Sequence, residues 1–239
     1  MERLQNILAR AGVASRRGSA ALIEAGRVMV DGAAAVEPGA RFDPSAVRIE
    51  VDGKPLAGPE RKRTIALYKP RGMVSTMSDP FGAESLGDFL ARSGIKERLV
   101  PVGRLDKDSE GLLVMTNDGD LALRLSHPRY GHTKTYRVRV AGKWTAGKLD
   151  ILRGRVEMPD GYLTHPAKVD AVRFLPGNVA ELEFVLGEGR KRQIRYMCSA
   201  AHLAVLDLKR VAIGRYVLPS SLKPGEWLEL SPADIAMLG

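Results

Sequence analysis

Val102-Gly103-Arg104-Leu105-Asp106-Lys107-Asp108-Ser109-Glu110-Gly111-Leu112-Leu113 is the stretch on which the reading of this 239-residue chain turns. Two glycines bracket three carboxylates and two cations, and Leu112-Leu113-Val114-Met115 follows as an apolar, strand-like run. Asp106, Asp108, Glu110 and Gly111 fall at the first, third, fifth and sixth positions of a calcium-loop pattern. The closing acid of that pattern is missing, because its place holds Asn117, and Arg104 and Lys107 would oppose a divalent cation. A carboxylate flanked by cations is better suited to act ionised, as a nucleophile or a polarising group, since neighbouring positive charge keeps Asp in its charged form. Taken alone, the segment also reads as an acidic turn paired to surface lysines.

Outward from this segment the chain alternates strands and helices. Thr64-Ile65-Ala66-Leu67-Tyr68 reads as a buried strand, and Tyr136-Arg137-Val138-Arg139-Val140 and Val179–Leu186 alternate as half-buried strands should. Helices are expected over Leu86–Arg92, Gly119–Leu125 and Arg192–Ala201. The first fifty-odd residues form a separate pattern. Leu4, Ile7, Leu8 and Ala11 recur at helical spacing before Gly12, and Ser15 can cap a second helix that ends at Gly26. Val28-Met29-Val30 then enters an Asp31-Gly32 turn, and Val47 to Asp52-Gly53 repeats that signal. The fold class is therefore α+β: a small N-terminal helix-turn-helix plus strands over residues 1–57, an exposed linker at 58–63, and a larger domain over 64–239. That domain is expected to rest on a mainly antiparallel mixed sheet with flanking helices.

Composition excludes several function classes. One cysteine, Cys198, makes neither an internal disulfide nor a Cys-based zinc cluster, and the four histidines lack metal-ligand spacing. No apolar run approaches the roughly 18 residues of a membrane span, and Met1-Glu2-Arg3-Leu4-Gln5 lacks the apolar stretch of a secretory signal, so a cytoplasmic protein is expected. The net charge of +9 is clustered: nine Lys/Arg against one acid from Arg124 to Arg155, and seven against two from Leu186 to Tyr216. The rest of the chain is net −4, so the positive charge is gathered as a polyanion-binding face requires.

Two further segments carry chemistry. His132-Thr133-Lys134-Thr135-Tyr136 places a tyrosine at the start of an alternating strand, where it packs, stacks on a base or exchanges a proton. Gly187-Glu188-Gly189-Arg190-Lys191-Arg192-Gln193-Ile194-Arg195 sets four cations in six residues at a helix start, a phosphate-contact signal, but its glycines form no phosphate loop.

With these three segments the chain resembles the RsuA/RluB-type ribosomal RNA pseudouridine synthases, over nearly its whole length. Gly103-Arg104-Leu105-Asp106 with Gly111-Leu112-Leu113 and Thr116-Asn117-Asp118-Gly119 is similar to the family's catalytic-aspartate motif. Lys134-Thr135-Tyr136 is similar to its tyrosine motif, and Glu188-Gly189-Arg190 through Gln193-Ile194-Arg195 to its basic motif. Tyr68-Lys69-Pro70-Arg71-Gly72 and Pro101-Val102 resemble its lysine-proline and preceding elements, and the N-terminal module resembles an S-four-type RNA-binding domain. Two departures stand out: Tyr196 follows Arg195 where many relatives carry another Arg, and Gly18 interrupts the second helix.

The resemblance implies isomerisation of uridine to pseudouridine in RNA, without cofactor or metal. It makes Asp106 the essential carboxylate, Arg195 its ionic partner, and Tyr136 the ring against the flipped uracil. Arg104 would fill the gap that the base leaves, and Ile194 and Leu105 would wall the pocket. Lys69, Arg71, Lys134, Arg190, Lys191, Arg192 and Gln193, with Arg16 and Arg17 in the N-terminal module, would contact RNA. Partners are then ribosomal RNA or a pre-ribosomal particle, with neither DNA nor membrane, and the chain is expected to be a monomer. Gln193-Ile194-Arg195 with Gly225-Glu226-Trp227 leans toward a large-subunit target. The alternative is a non-catalytic RNA-binding or ribosome-assembly protein that keeps the fold, although such a protein has no need of a carboxylate facing RNA. DNA binding lacks a reading helix, and 5% aromatic residues poorly support general stacking on single strands.

Overall fold

The computed structural model describes residues 1–145 and 147–239. The chain forms two units, Met1–Lys62 with Lys96–Arg98, and Arg63–Ile95 with Leu99–Gly239. The first holds β1 (Glu2–Arg3), α1 (Leu4–Arg10), α2 (Arg16–Glu24), β2 (Val28–Val30), β3 (Ala33–Ala34), β4 (Arg41–Phe42), β5 (Ile49–Val51) and β6 (Lys54–Pro55). Leu4, Ile7 and Leu8 of α1, Ile23 of α2 and Val28, Val30 and Ile49 of the strands make its core. Ser15 Oγ caps α2 by accepting from the Gly18 amide at 2.9 Å. Asp31 and Asp52 both take a φ of 50° in their Asp-Gly turns. The stretch 58–63 is more than a tether. The Glu60 amide donates to the Arg10 carbonyl at 3.1 Å, and the Glu60 carboxylate accepts from the Arg98 amide at 3.2 Å, which ties Lys96–Arg98 to this unit.

The second unit runs β7 (Thr64–Lys69), α3 (Leu86–Ser93), β8 (Val100–Pro101), β9 (Glu110–Thr116), α4 (Gly119–Ser126), β10 (Lys134–Ala141), α5 (Gly147–Arg153), β11 (Lys168–Leu175) and β12 (Val179–Leu186). It continues through α6 (Gln193–Ala200), β13 (Ala204–Ile213), β14 (Tyr216–Val217), β15 (Trp227–Glu229) and α7 (Pro232–Met237). One sheet has the order β11-β12-β10-β13-β9-β7-β15, with β14 on β13 and β8 on β9. The β13–β9 pair is parallel and the other ladders are antiparallel.

Coverage explains the sequence patterns. On one face Ile65, Leu67, Leu113, Val138 and Leu182 pack with Leu86 and Phe89 of α3, Leu152 of α5 and Met197 of α6. On the other, Ala66, Leu112 and Val114 pack with Leu121 and Leu125 of α4. Strands β7 and β9 are therefore buried on both faces and read as continuous apolar runs. β10 and β12 are covered on one face only and alternate. Their outer face is tied by cross-strand ion pairs, Arg137 with Glu183 at 3.0 Å and Arg139 with Asp207 at 3.1 Å. Part of the clustered positive charge is thus neutralised on the sheet. Strands β11 and β13 and helices α5 and α7 lie outside the sequence expectation. In β13, Asp207, Lys209 and Arg210 interrupt the apolar signal, yet its ten residues form a central strand.

Candidate active site

The loop between β8 and β9 carries Asp106, and its backbone is held at every step. Five consecutive carbonyl oxygens, from Arg104 to Asp108, each accept a hydrogen bond from a different residue. Arg210 Nη1 donates to Arg104 O at 3.5 Å, Ser75 Oγ to Leu105 O at 2.7 Å, and the Ser109 amide to Asp106 O at 3.0 Å. The Gly72 amide donates to Lys107 O at 2.8 Å, and Arg195 Nη2 to Asp108 O at 3.2 Å. Ser75 Oγ also accepts from the Leu105 amide at 3.0 Å, closing a reciprocal clamp on the residue before Asp106. With the backbone fixed this way, the half-buried Asp106 carboxylate forms no ion pair among the described residues and stays available for chemistry.

Asp106 opens into a cavity of about 460 Å3, within the roughly 300–1,000 Å3 usual for small-ligand sites. Arg104, Leu105 and Ser109 line it from the same loop, with Tyr136 from β10, Leu186 from β12, Leu208 from β13 and Ile194 from α6. The Tyr136 ring is buried, and the β10–β13 register shifts between Thr135 and Tyr136, so that Tyr136 faces Arg210. A bulge at a site wall re-aims the side chain beside it.

The basic loop Gly189–Arg192 makes a further wall. Glu188 anchors it: its carboxylate accepts from the Tyr162 hydroxyl at 2.7 Å, the His165 amide at 2.8 Å and Gln193 Nε2 at 2.7 Å. Burial pushes the Glu188 carboxyl upward, but the donors from Tyr162, His165 and Gln193 together hold it below the ordinary Glu value. The Arg190 guanidinium lies 3.7 Å over the Tyr162 ring. Arg192 takes a left-handed φ of 57° and reaches Asp108 at 3.4 Å. Among the described residues, Arg104, Arg190 and Lys191 have no carboxylate partner, so this rim keeps uncompensated positive charge where the outer sheet face does not.

The other expected site residues have different settings. Arg195 grips the Asp108 carbonyl, and among the described residues it forms no ion pair with Asp106. Lys69 is fully buried, with its ammonium donating to the Pro70 and Met73 carbonyls at 2.8 Å each, so it is not placed to touch a phosphate. Burial lowers its pKa to about 8, against the opposing pull of Asp106 and Glu110. Gln193 lines the cavity but is 3% exposed, and its amide is consumed by Glu188 and the Arg190 amide. Lys134 is half-buried with its ammonium 3.3 Å from the His132 carbonyl, and it does not line the cavity. Arg71 is exposed but paired to Asp207 at 2.6 Å, while Arg16 and Arg17 are exposed on α2 of the first unit. Cys198 is buried, and its thiol is pushed up to about 12 by that burial, which removes it as a nucleophile. Sequence reasoning missed Ser75 and Arg210, which act on backbone. The available signal for Arg210 was its parity with Leu208 and Ala212 on the inward face of β13.

Comparison with known proteins agrees with this geometry. Residues 63–200 match the family described as RNA pseudouridylate synthase, and residues 2–47 match the S4 domain. An uncharacterized RNA pseudouridine synthase of Aquifex aeolicus is 40% identical over 99% of this chain and 93% of its own. Ribosomal large subunit pseudouridine synthase B of Bacillus subtilis is 37% identical over 100% of this chain and 96% of its own. A crystal structure of a pseudouridylate synthase superposes with a TM-score of 0.70 at 25% identity, covering both chains fully. A carboxylate-bearing loop gripped through its backbone carbonyls, a tyrosine-walled cavity and a basic rim, on a chain matched from end to end by these enzymes, place the protein in the RNA pseudouridylate synthase family.

Proposed function

We propose that the chain isomerises one uridine of large-subunit ribosomal RNA to pseudouridine, with Asp106 as the reacting carboxylate. The observation that carries this reading is the Asp106 carboxylate, held on a loop whose carbonyls from Arg104 to Asp108 all accept hydrogen bonds, and opening into a cavity with Tyr136 and Ile194 among its walls. The 37% identity to large subunit synthase B of Bacillus subtilis supports the choice of RNA.

The target base must leave its stack, at a cost of roughly a few kcal/mol. Phosphate contacts from Arg190 and Lys191 offset that cost, and Arg104 occupies the gap. Asp106 promotes cleavage of the N1–C1′ bond; the base turns and rejoins through C5, which loses its hydrogen while N1 regains one. Tyr136 packs against the uracil, and Ile194 and Leu105 keep water from the reacting carbon. Arg195 acts through the Asp108 carbonyl, holding the loop. We assign residues 1–57 to RNA capture, 58–63 to the joint and 64–239 to catalysis, in a monomer that works in the cytoplasm on ribosomal RNA or a pre-ribosomal particle.

Unmodified ribosomal RNA tritiated at uridine C5 tests the proposal. The wild type should release tritium and Asp106→Asn should not. Full release by Asp106→Asn, or none by the wild type on either subunit's RNA, sinks it. Release from small-subunit RNA alone refutes the choice of target.

A further inference from the structure

We propose that Arg210 is a positioning residue for the reaction: from β13 its buried guanidinium bridges the carbonyl oxygens of Leu112 and Arg104, fixing both ends of the loop that carries Asp106. The inference rests on the reading of Asp106 as the reacting carboxylate.

Arg210 is 2% exposed, the bulkiest fully buried side chain here. Its Nε donates to Leu112 O at 2.7 Å and its Nη1 reaches Arg104 O at 3.5 Å. Between these two acceptors lie Asp106 and three other residues, Leu105, Lys107 and Asp108, whose carbonyls are tied from elsewhere. Arg210 forms no ion pair among the described residues, and its Nη2 is buried without a partner. A buried guanidinium with no carboxylate is an expensive way to fill a core position, and an apolar side chain of similar size would fill it at less cost. The neighbourhood makes the choice harder still. Lys69 and Lys134 both have lowered pKa values, through burial first and, in part, through the charge of Arg210. A third cation placed among two others is retained for what its shape does. The planar fork of arginine spans two separate acceptors, whereas a lysine ammonium is a single point donor.

The backbone is built around the same contact. β9 and β13 pair in parallel at Arg210 and Gly111, so closely that a Cβ on Gly111 would lie 2.3 Å from the Arg210 carbonyl oxygen. Arg210 also stands opposite Tyr136 in the bulged β10–β13 register. One residue thus touches the strand that carries the ring, the strand that leaves the loop, and the residue that enters it.

The test is steady-state tritium release by the full chain on C5-tritiated ribosomal RNA. Rates are expressed per folded protein by circular dichroism at the assay temperature. Arg210→Lys keeps the charge but not the fork; its kcat should fall at least fivefold with KM for RNA within threefold. Arg210→Met should fall further, and amides 104–112 should exchange hydrogen faster in both variants. A residue that only fills the core would change the melting temperature and leave kcat per folded molecule alone. Arg210→Lys therefore decides the matter even if Arg210→Met does not fold. A kcat within twofold of wild type, or a loss confined to KM, overturns the proposal. Asp106→Asn is run beside it: if that variant is active, the reading of the site has failed instead.

Discussion

Substituting alanine at Gly111 should cost far more than the same change at the other glycines of the motifs, for a reason that is visible in the β9–β13 ladder. Gly111 has a φ of +106°, and an added Cβ would meet the Arg210 carbonyl oxygen at 2.3 Å, its nitrogen at 2.8 Å and its carbonyl carbon at 3.0 Å. All three are backbone atoms of a central strand, so no side chain can swing away. Ordinary carbon contacts sit near 3.5–4.0 Å, and the two strands would have to part by about 1 Å. Left-handed backbone costs a residue with a Cβ roughly 1–2 kcal/mol, and overpacking adds about 1–3 kcal/mol. The total of roughly 2–5 kcal/mol corresponds, at about 2–4 °C per kcal/mol for a chain of this size, to a fall in melting temperature of about 4–20 °C.

Two matched variants isolate the terms. Gly103 has a φ of +77° with nothing within 4 Å of the added Cβ, so Gly103→Ala should show the conformational cost alone, about 1–2 kcal/mol. Gly189 is outside the left-handed region and also meets nothing within 4 Å, so Gly189→Ala should be neutral to about 0.5 kcal/mol. Thermal and urea unfolding followed by circular dichroism measures all three. A Gly111→Ala protein that melts no lower than Gly103→Ala would refute the close-approach argument.

Three other outcomes follow from the site. Glu188→Gln should raise KM for RNA several-fold by loosening the Arg190–Arg192 wall. Because the folded carboxyl is held below its ordinary value, the stability difference from wild type should be full above about pH 5 and shrink as pH falls through the folded pKa; a difference that grows on acidification refutes it. Burial lowers the Lys69 pKa to about 8 in the folded state against 10.5 for a free lysine, so the folded state holds that proton less tightly and gains stability from about pH 8 to 10.5. Urea midpoints should show that gain in wild type and not in Lys69→Met; equal slopes in both would refute the assignment. Lys191→Ala should lower the slope of log KM against log salt by about 0.7–0.9, one phosphate contact, and leave kcat unchanged. An unchanged slope removes Lys191 from the RNA face.

The sequence made the cavity-lining groups legible and the groups that hold them much less so. Asp106, Tyr136, Leu105 and Ile194 were expected together and line one cavity, because each must present a particular side chain to that space. The strands β7, β9, β10 and β12 were readable because burial on one face or two leaves opposite hydropathy patterns. Lys69 and Gln193 misled because residue type reports charge and polarity but not depth. Lys69 ends a strand buried at all six positions, where alternation cannot tell inward from outward. The resemblance makes Arg195 the ionic partner of Asp106, and in the fold its guanidinium donates to the carbonyl two residues along, that of Asp108. Ser75, Gly72, Ser109 and Arg210 do likewise, each acting on a main-chain oxygen that every residue possesses. Such contacts leave no motif in the acceptor. They show in the donor alone, as a charged residue whose strand parity points inward, and at Arg210 that mismatch between charge and parity marks the support of the site.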